Sequence, residues 1–80
     1  MSLFNLKILK YTETAFEGSV LSLYAPIFEG DCLILKGHAP FIAKLKKGTL
    51  KIQKPDGPLK IDIEGGFLDI SEKCVSLVVV

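Results

Sequence analysis

The sequence contains no arginine and no tryptophan, and it has a single histidine and two cysteines among its 80 residues. Arginine's planar guanidinium is the usual side chain for holding phosphate or carboxylate in a fixed orientation. Its absence argues against a phosphate-transfer or nucleotide-clamping site. Two cysteines and one histidine are too few ligands for a structural zinc site, so no metal is expected. The net charge of +1 gives no general attraction to nucleic acid or anionic lipid.

Long hydrophobic runs are also missing. No apolar stretch approaches the roughly 20 residues that span a bilayer, and the N-terminus lacks the order of a signal peptide. These absences predict a soluble chain that meets a membrane only through partners. Cys32 and Cys74 are then expected to be buried or half-buried thiols in a reducing compartment, with a disulfide as the alternative.

Apolar and polar residues alternate along residues 4–9, 49–53 and 59–64. A period of two is typical of strands with one packed face and one solvated face. In residues 59–64 this pattern predicts that Ile61 lies in the core. The segment Pro55-Asp56-Gly57-Pro58 predicts a tight hairpin, because proline presets the φ angle of a turn and glycine accepts a positive one.

Turn residues recur about every eight to twelve positions, the spacing of short strands in a sandwich, and no segment has a helical period of useful length. The pattern predicts one all-β domain over residues 1–80, a small antiparallel two-sheet β-sandwich. Residues 74–80 lose the alternation after Ser76 and become apolar on both faces. They form either a central strand or a face that another subunit or segment covers.

His38 is the only residue that invites a catalytic interpretation. Acid–base or nucleophilic catalysis needs a partner within hydrogen-bond reach and a group that orients the base. The sequence has no Ser-His-Asp or Cys-His order, so no catalytic residue is assigned, and a small hydrolase using His38 with Asp31 or Cys32 is only a third hypothesis. Gly37 and Pro40 favour a stiff loop in which His38 is either structural or part of an interface.

Six lysines and no acid lie between residues 36 and 55. A nucleic-acid footprint normally adds arginine and interleaved aromatic residues, but only Phe41 is present, so no nucleic acid is expected. A solvated strand face or docking on an acidic protein surface remain as alternatives. Glu29 and Asp31 flank Gly30, and two carboxylates make a poor metal site, so a solvated turn or a polar contact is expected there.

Gly65-Gly66 is the only adjacent pair of glycines. It lacks the spacing of a phosphate-binding or dinucleotide-binding loop, so no nucleotide cofactor is expected. Lying between two strand patterns, it predicts a bulge or bend at which Phe67 is re-aimed.

Several short segments follow one another in a fixed order along nearly the whole chain, and the set is far more specific than any one member. It resembles the N-terminal β-sandwich domain of the ATP synthase epsilon subunit, which is called delta in mitochondria. The resemblance implies a non-catalytic rotor subunit at the foot of the central stalk, with no cofactor and no small-molecule substrate. The segments are Glu29-Gly30-Asp31, Gly37-His38-Ala39-Pro40, Lys46-Lys47-Gly48, Gly65-Gly66-Phe67-Leu68 and the valine-rich last strand.

The resemblance implies two protein partners, the gamma subunit and the polar loops of the c-ring. It assigns the c-ring contact to Glu29, Gly30 and Asp31. A titratable histidine at the gamma contact would make that contact pH-sensitive. The residues that the resemblance assigns to the gamma contact are His38, Ala39, Pro40, Phe41, Ile42 and Ala43, with Lys10 as a further candidate.

Two positions depart from the family pattern. Leu33 stands where glycine is common and Lys36 where proline is common, so we expect a different backbone path in this loop. Epsilon chains usually continue as a helical hairpin that carries inhibition of ATP hydrolysis and, in some bacteria, ATP binding. The sequence stops after the last strand, so either the epsilon chain is naturally short and lacks hairpin-based inhibition, or the hairpin belongs to a longer protein. We expect the first, because some bacterial lineages have short epsilon chains. We expect it at the cytoplasmic face of the bacterial inner membrane, as a peripheral part of the ATP synthase.

The alternative function is ligand binding, by a free-standing β-sandwich that binds a sugar or a peptide at its loops. Such a site usually needs aromatic platforms. Tyr24 and Phe41 are the only loop-adjacent candidates in the sequence. Binding to gamma and the c-ring would separate this hypothesis from the first.

Overall fold

The computed structural model describes residues 2–80, and all regular secondary structure in this range is β-strand. Within it, no helix is long and apolar enough to cross a membrane. The nine strands are β1 (Phe4–Lys10), β2 (Glu13–Val20), β3 (Ser22–Ile27), β4 (Gly30–Ile34), β5 (Phe41–Leu45), β6 (Gly48–Lys54), β7 (Gly57–Ile63), β8 (Gly66–Ile70) and β9 (Cys74–Val79).

The strands form one strongly curled sheet whose two halves enclose a common core. One half has the order β2-β1-β9-β8-β5, and the other has the order β4-β3-β6-β7. The halves join where Ile27, at the end of β3, pairs with Leu45 of β5. The predicted all-β sandwich is confirmed. One pair departs from the antiparallel prediction, since β1 and β9 run parallel as neighbours.

Alternate residues of the strands point inward and form a single apolar core. No polar or charged side chain is buried within residues 2–80. The predicted hairpin at residues 55–58 joins β6 to β7. Ile61 packs against the core but is only half-buried, because β7 is an edge strand, whereas Ile63 is buried. The core consists of Leu6, Ile8, Val20, Leu23, Ala25, Ile27, Ile34, Ala43, Leu45, Leu50, Ile52, Ile63, Leu68, Ile70, Val75, Leu77 and Val79.

Strand β9 is a central strand with two different faces. It lies between β1 and β8, which confirms the first of the two interpretations of residues 74–80. Its inward residues Val75, Leu77 and Val79 are buried, whereas Val78 is 51 % exposed on the outer face. Residues 74–80 are therefore apolar on both faces because the inner face is buried in the core and the outer face carries the exposed Val78.

The bend between β7 and β8 depends on Gly66. Its φ angle is +145°, a conformation that side chains rarely adopt, and a Cβ here would press against the carbonyl oxygen of Val78. The same Cβ would lie 2.8 Å from the Cα of Val79. Glycine is required because β9 passes this close, and the predicted bend at Gly65-Gly66 is confirmed. Phe67, the next residue, is directed outward.

The division into inner and outer faces predicts unequal costs for two truncations. Leu68 is fully buried, so Leu68→Ala should lower the free energy of unfolding by about 2–5 kcal/mol. Ile42 lies on the neighbouring strand with 74 % of its surface exposed, so Ile42→Ala should cost less than about 1 kcal/mol. Urea unfolding followed by circular dichroism measures both values. Equal losses would contradict the assigned faces.

A second comparison isolates the close approach of β9. Gly66→Ala should destabilise the domain through both its φ angle and the clash with β9. Gly57→Ala is the matched control, because Gly57 has a φ of +137° but no atom within 4 Å of its Cβ position. The control should show the conformational cost alone, about 1–3 kcal/mol, and Gly66→Ala should exceed it. Thermal unfolding of both variants measures the two losses of stability. Equal losses would show that β9 shifts to accommodate the added Cβ without destabilising the domain further.

Candidate partner-binding surfaces

The curled sheet presents two ends and two outer faces to solvent. The strands contain five to eight residues, so the two ends are about 17–26 Å apart at roughly 3.3 Å per residue. We call one end the His38 end (residues 35–40 and 71–73). We call the opposite end the Glu29 end (residues 28–31, 46–47 and 64–65).

His38 lies in a braced loop. Its backbone N–H donates to the carbonyl of Leu35 at 3.2 Å, and its Nδ1 donates to the carbonyl of Ala39 at 2.9 Å. The imidazole also packs near the Phe41 ring, with centroids 6.1 Å apart. Since the carbonyl of Ala39 can only accept, the proton is on Nδ1, and Nε2 is left for a partner. The predicted stiff loop is therefore present, and Gly37 makes its turn with a φ of +87°.

An open cleft of about 170 Å³ separates this loop from the turn at residues 71–73. Leu35 and Ile70 are among its apolar lining residues, and Lys36 and Lys73 lie on its two sides. Pockets that enclose a small ligand usually measure about 300–1,000 Å³. The cleft is thus better suited to one side chain of a partner than to a whole small molecule.

The Glu29 end carries an exposed acidic turn. Gly30 has a φ of +125° and lets β3 reverse into β4, so that Glu29 and Asp31 are both solvent-exposed. The pKa of Tyr24 is raised, chiefly because its hydroxyl donates a hydrogen bond to the Asp31 side chain, and further by partial desolvation and the carboxylate's charge. The turn therefore presents two exposed carboxylates to solvent.

The structure divides the residues that the resemblance assigned to the gamma contact. Lys10 ends β1 at the Glu29 end, where its Nζ lies 3.5 Å from the carbonyl oxygen of Asp62, so it is a strand's length from His38. Ala43 is only 5 % exposed and packs in the core. Its neighbour Ile42 faces outward because adjacent strand residues point to opposite faces. The exposed members near His38 are Ala39, Pro40, Phe41 and Ile42.

An apolar row of half-buried Leu9 and exposed Val78 and Phe67 crosses the outer face of β1, β9 and β8. Sequence reasoning did not assign it. Leu9 pairs with Val78, and Val78 pairs with Phe67, which is 59 % exposed. The row joins strands from opposite ends of the chain, so no local pattern contains it. Its only signals in the sequence were the doubly apolar residues 74–80 and the bend at Gly66.

The six lysines of residues 36–54 do not form one basic patch. The Nζ of Lys44 lies 5.4 Å from the centre of the Phe28 ring, and the Nζ of Lys51 lies 5.1 Å from the centre of the Tyr24 ring. These two contacts are on different halves of the curled sheet. The arrangement supports the interpretation of lysines on solvated strand faces, whose stems cover aromatic rings.

Among residues 2–80, no serine, cysteine or acidic side chain forms a hydrogen bond with His38, whose Nδ1 donates to the carbonyl of Ala39. Asp31 is at the Glu29 end, and Cys32 lies on β4, where partial burial raises the pKa of its thiol. Cys32 and Cys74 are both half-buried thiols. Among residues 2–80, no three histidine, cysteine or acidic side chains are close enough to hold a metal ion. The surfaces described above therefore fit contact with other molecules better than chemistry.

Known proteins share this sequence pattern. A family model described as "ATP synthase, Delta/Epsilon chain, beta-sandwich domain" matches residues 3–80. The chain is 36 % identical over 73 residues to the ATP synthase epsilon chain of Leptospira borgpetersenii, covering 91 % of this chain and 58 % of that protein. It is also 36 % identical over 77 residues to the epsilon chain of Bradyrhizobium sp. (strain ORS 278), covering 96 % and 57 %. The chain thus spans little more than half the length of these relatives.

Solved structures share the fold. A chain in the cryo-EM structure of the Euglena gracilis mitochondrial ATP synthase (OSCP, F1 and c-ring) superposes with a TM-score of 0.92 at 22 % identity, covering 100 % of this chain and 52 % of that one. A chain in the central stalk and c-ring structure of the Tetrahymena thermophila mitochondrial ATP synthase gives a TM-score of 0.82 at 13 % identity, covering 96 % and 63 %. At these identities the likeness concerns the fold.

The contact between Tyr24 and Asp31 predicts a measurable titration shift. Asp31→Ala should lower the pKa of Tyr24, because it removes the acceptor that favours the protonated phenol. Since the pKa is raised in the folded state, the resulting stability is present below the unfolded value of about 10 and is lost as pH rises through the folded value. Tyrosinate absorbance is a clean probe in a chain without tryptophan, and Tyr24→Phe identifies which transition belongs to Tyr24. An unchanged transition in Asp31→Ala would exclude the carboxylate as the cause.

Proposed function

The chain belongs to the ATP synthase delta/epsilon family, and from this membership we propose that it is an epsilon-type component of the central stalk of an F-type ATP synthase. It links the gamma subunit to the c-ring and helps couple proton transport to ATP synthesis, without catalysing a reaction itself. The observation that carries the proposal is the match of the family's β-sandwich model to residues 3–80.

The two ends of the domain support two simultaneous contacts. In this proposal the His38 end binds gamma through His38, the neighbouring exposed residues and Ile42. The Glu29 end binds the c-ring loops through Glu29, Gly30 and Asp31. The short connections between strands and the single close-packed core make the body between the ends stiff. A stiff body transmits rotation from one contact to the other, so the proposed role needs contact area and rigidity.

The acidic turn suits a polar partner. Glu29 and Asp31 lie on either side of Gly30, and both are exposed. We therefore propose that this turn meets polar or basic groups of the c-ring loops.

The proposal also gives the domain a location. Through the c-ring it would be a peripheral component at the membrane. We propose the cytoplasmic face of a bacterial inner membrane, which is supported by relatives from bacteria such as Leptospira and Bradyrhizobium. Neither the core nor the two ends need to enter lipid for this role.

The alternative of a sugar- or peptide-binding module has less support. Tyr24 lies on β3 and Phe41 begins β5, which belong to different halves of the curled sheet. They therefore do not form one aromatic platform.

The two-ended proposal predicts that two surface changes act on different partners. His38→Ala should weaken binding to gamma about tenfold, the equivalent of about 1.4 kcal/mol, and leave the c-ring contact unchanged. Asp31→Lys should weaken association with the c-ring and lower ATP-driven proton pumping, with gamma affinity unchanged. Binding is measured with the gamma subunit and c-ring of the same source, and pumping with the reassembled complex in vesicles.

Matched controls are available for both changes. Lys60→Ala alters an exposed strand residue of the other half-sheet, and Asp56→Lys reverses a charge in the hairpin turn far from the Glu29 end. Both should behave as the wild type does, and thermal unfolding should show that all four variants are folded. If His38→Ala and Asp31→Lys also assemble and pump normally, the two contact surfaces are misplaced.

A further inference from the structure

The cleft at the His38 end combines an apolar centre with a positively charged rim, and this combination indicates which kind of group binds there. We propose that it accepts an apolar side chain of the gamma subunit that stands beside an aspartate or a glutamate. This inference rests on the proposed stalk function and adds the type of gamma segment that docks. Three observations carry it: exposed leucines, unpaired rim lysines and preformed walls.

The apolar part of the cleft is unusually exposed for its residue types. Leu35 is 52 % exposed and Leu3 is 39 % exposed, and both line the cleft. Ile70 and Val75, which are buried core residues, also contribute to its lining. An inserted apolar side chain would continue the core outward and remove both leucines from water, which is favourable in proportion to the area covered.

The rim of the cleft is positively charged. Lys36 and Lys73 line the cleft together with His38, and Glu72 is the single acid among the lining residues. Neither lysine forms an ion pair with any of residues 2–80, where the ion pairs present are Lys47–Glu64 and Lys54–Asp56. Uncompensated charges around an apolar centre favour a partner of opposite sign, and such rim charges mainly speed association and select the partner.

Both walls of the cleft are formed without a partner. In the turn at residues 71–73, the backbone N–H and the Oγ of Ser71 each donate to the carbonyl of Cys74 at 2.9 Å. On the other wall, the loop is closed by the bond from His38 to Leu35 at 3.2 Å and by the bond from Nδ1 of His38 to Ala39. A preformed recess loses little conformational entropy on binding.

The size of the cleft favours a side chain over other occupants. About 170 Å³ of open volume is less than a typical small-molecule pocket. A single-stranded nucleic acid would need exposed aromatic stacking surfaces beside the lysines. Phe4 lines the cleft but is half-buried against the core, and Phe41 lies beside His38 outside the lining. An apolar residue next to a carboxylate satisfies both the leucines and the lysines.

Affinity measurements on the full chain and purified gamma subunit test the proposal. Lys36→Glu and Lys73→Glu should each raise the Kd about three- to tenfold, mainly through slower association, and should reduce its salt dependence. Leu35→Asp should raise the Kd more than about tenfold, because it places a carboxylate in the apolar part of the cleft beside the incoming acid. All three positions are exposed, so folding should be retained.

The chain offers controls of matched chemistry. Lys60→Glu reverses an exposed lysine, and Leu33→Asp changes an exposed leucine that pairs with Tyr24 on the other half of the sheet. Both should leave the Kd within about twofold of wild type. Zero-length carbodiimide coupling adds a direct readout, since it joins a lysine amine to a carboxylate in contact. Lys36 or Lys73 should be linked to an aspartate or glutamate of gamma that adjoins an apolar residue.

The outcomes separate this inference from the function beneath it. If gamma binds the wild type and all five variants equally, or if the rim lysines link to no gamma carboxylate while other lysines do, the cleft inference is overturned and the stalk function stands. If gamma does not bind the wild type at all, the proposed function fails and the inference fails with it. Selective weakening by the three cleft variants, with the expected linkage, supports both.

Discussion

The structure depends on the burial of two apolar sheet faces against each other. No single strand of this chain can hide its inward side chains, and neither half of the curled sheet can do so alone. The fold becomes stable only where the sheet turns back on itself at the pairing of Ile27 with Leu45, which brings the halves together around one core. That core is entirely apolar in residues 2–80, so the interior contributes cohesion and excludes polar chemistry.

This constraint moves function to the surface. Because the inward side chains pack in the core, only the two ends and the outer faces can contact partners. The ends are close to the stiff body because their connections are short. Hydrogen bonds brace the His38 end at His38 and Ser71 and the Glu29 end where the N–H of Lys46 donates to the carbonyl of Pro26. Two ends on one stiff body suit the coupling role that we propose for this domain.

The close approach of β9 to Gly66 shows how local and distant parts of the chain depend on each other. Removal of one Cβ lets β7 bend into β8, and it also lets the last strand enter the sheet between β1 and β8. The same arrangement aligns half-buried Leu9 with exposed Val78 and Phe67 in one apolar row. This apolar row is thus a consequence of the pairing of β9 with β1 and β8, and it leaves apolar side chains in contact with solvent.

The sequence by itself determined the strands and their turns, because alternation and turn chemistry act over a few neighbouring residues. It therefore predicted the hairpin at residues 55–58, the bend before Phe67 and the all-β class. Tertiary structure alone decided which strands are neighbours, and with it the parallel pairing of β1 and β9, the half-burial of Ile61 on an edge strand and the separation of Lys10 from His38. Pairing between strands far apart in the chain depends on how two sheets close over a shared core, and no local pattern records that closure.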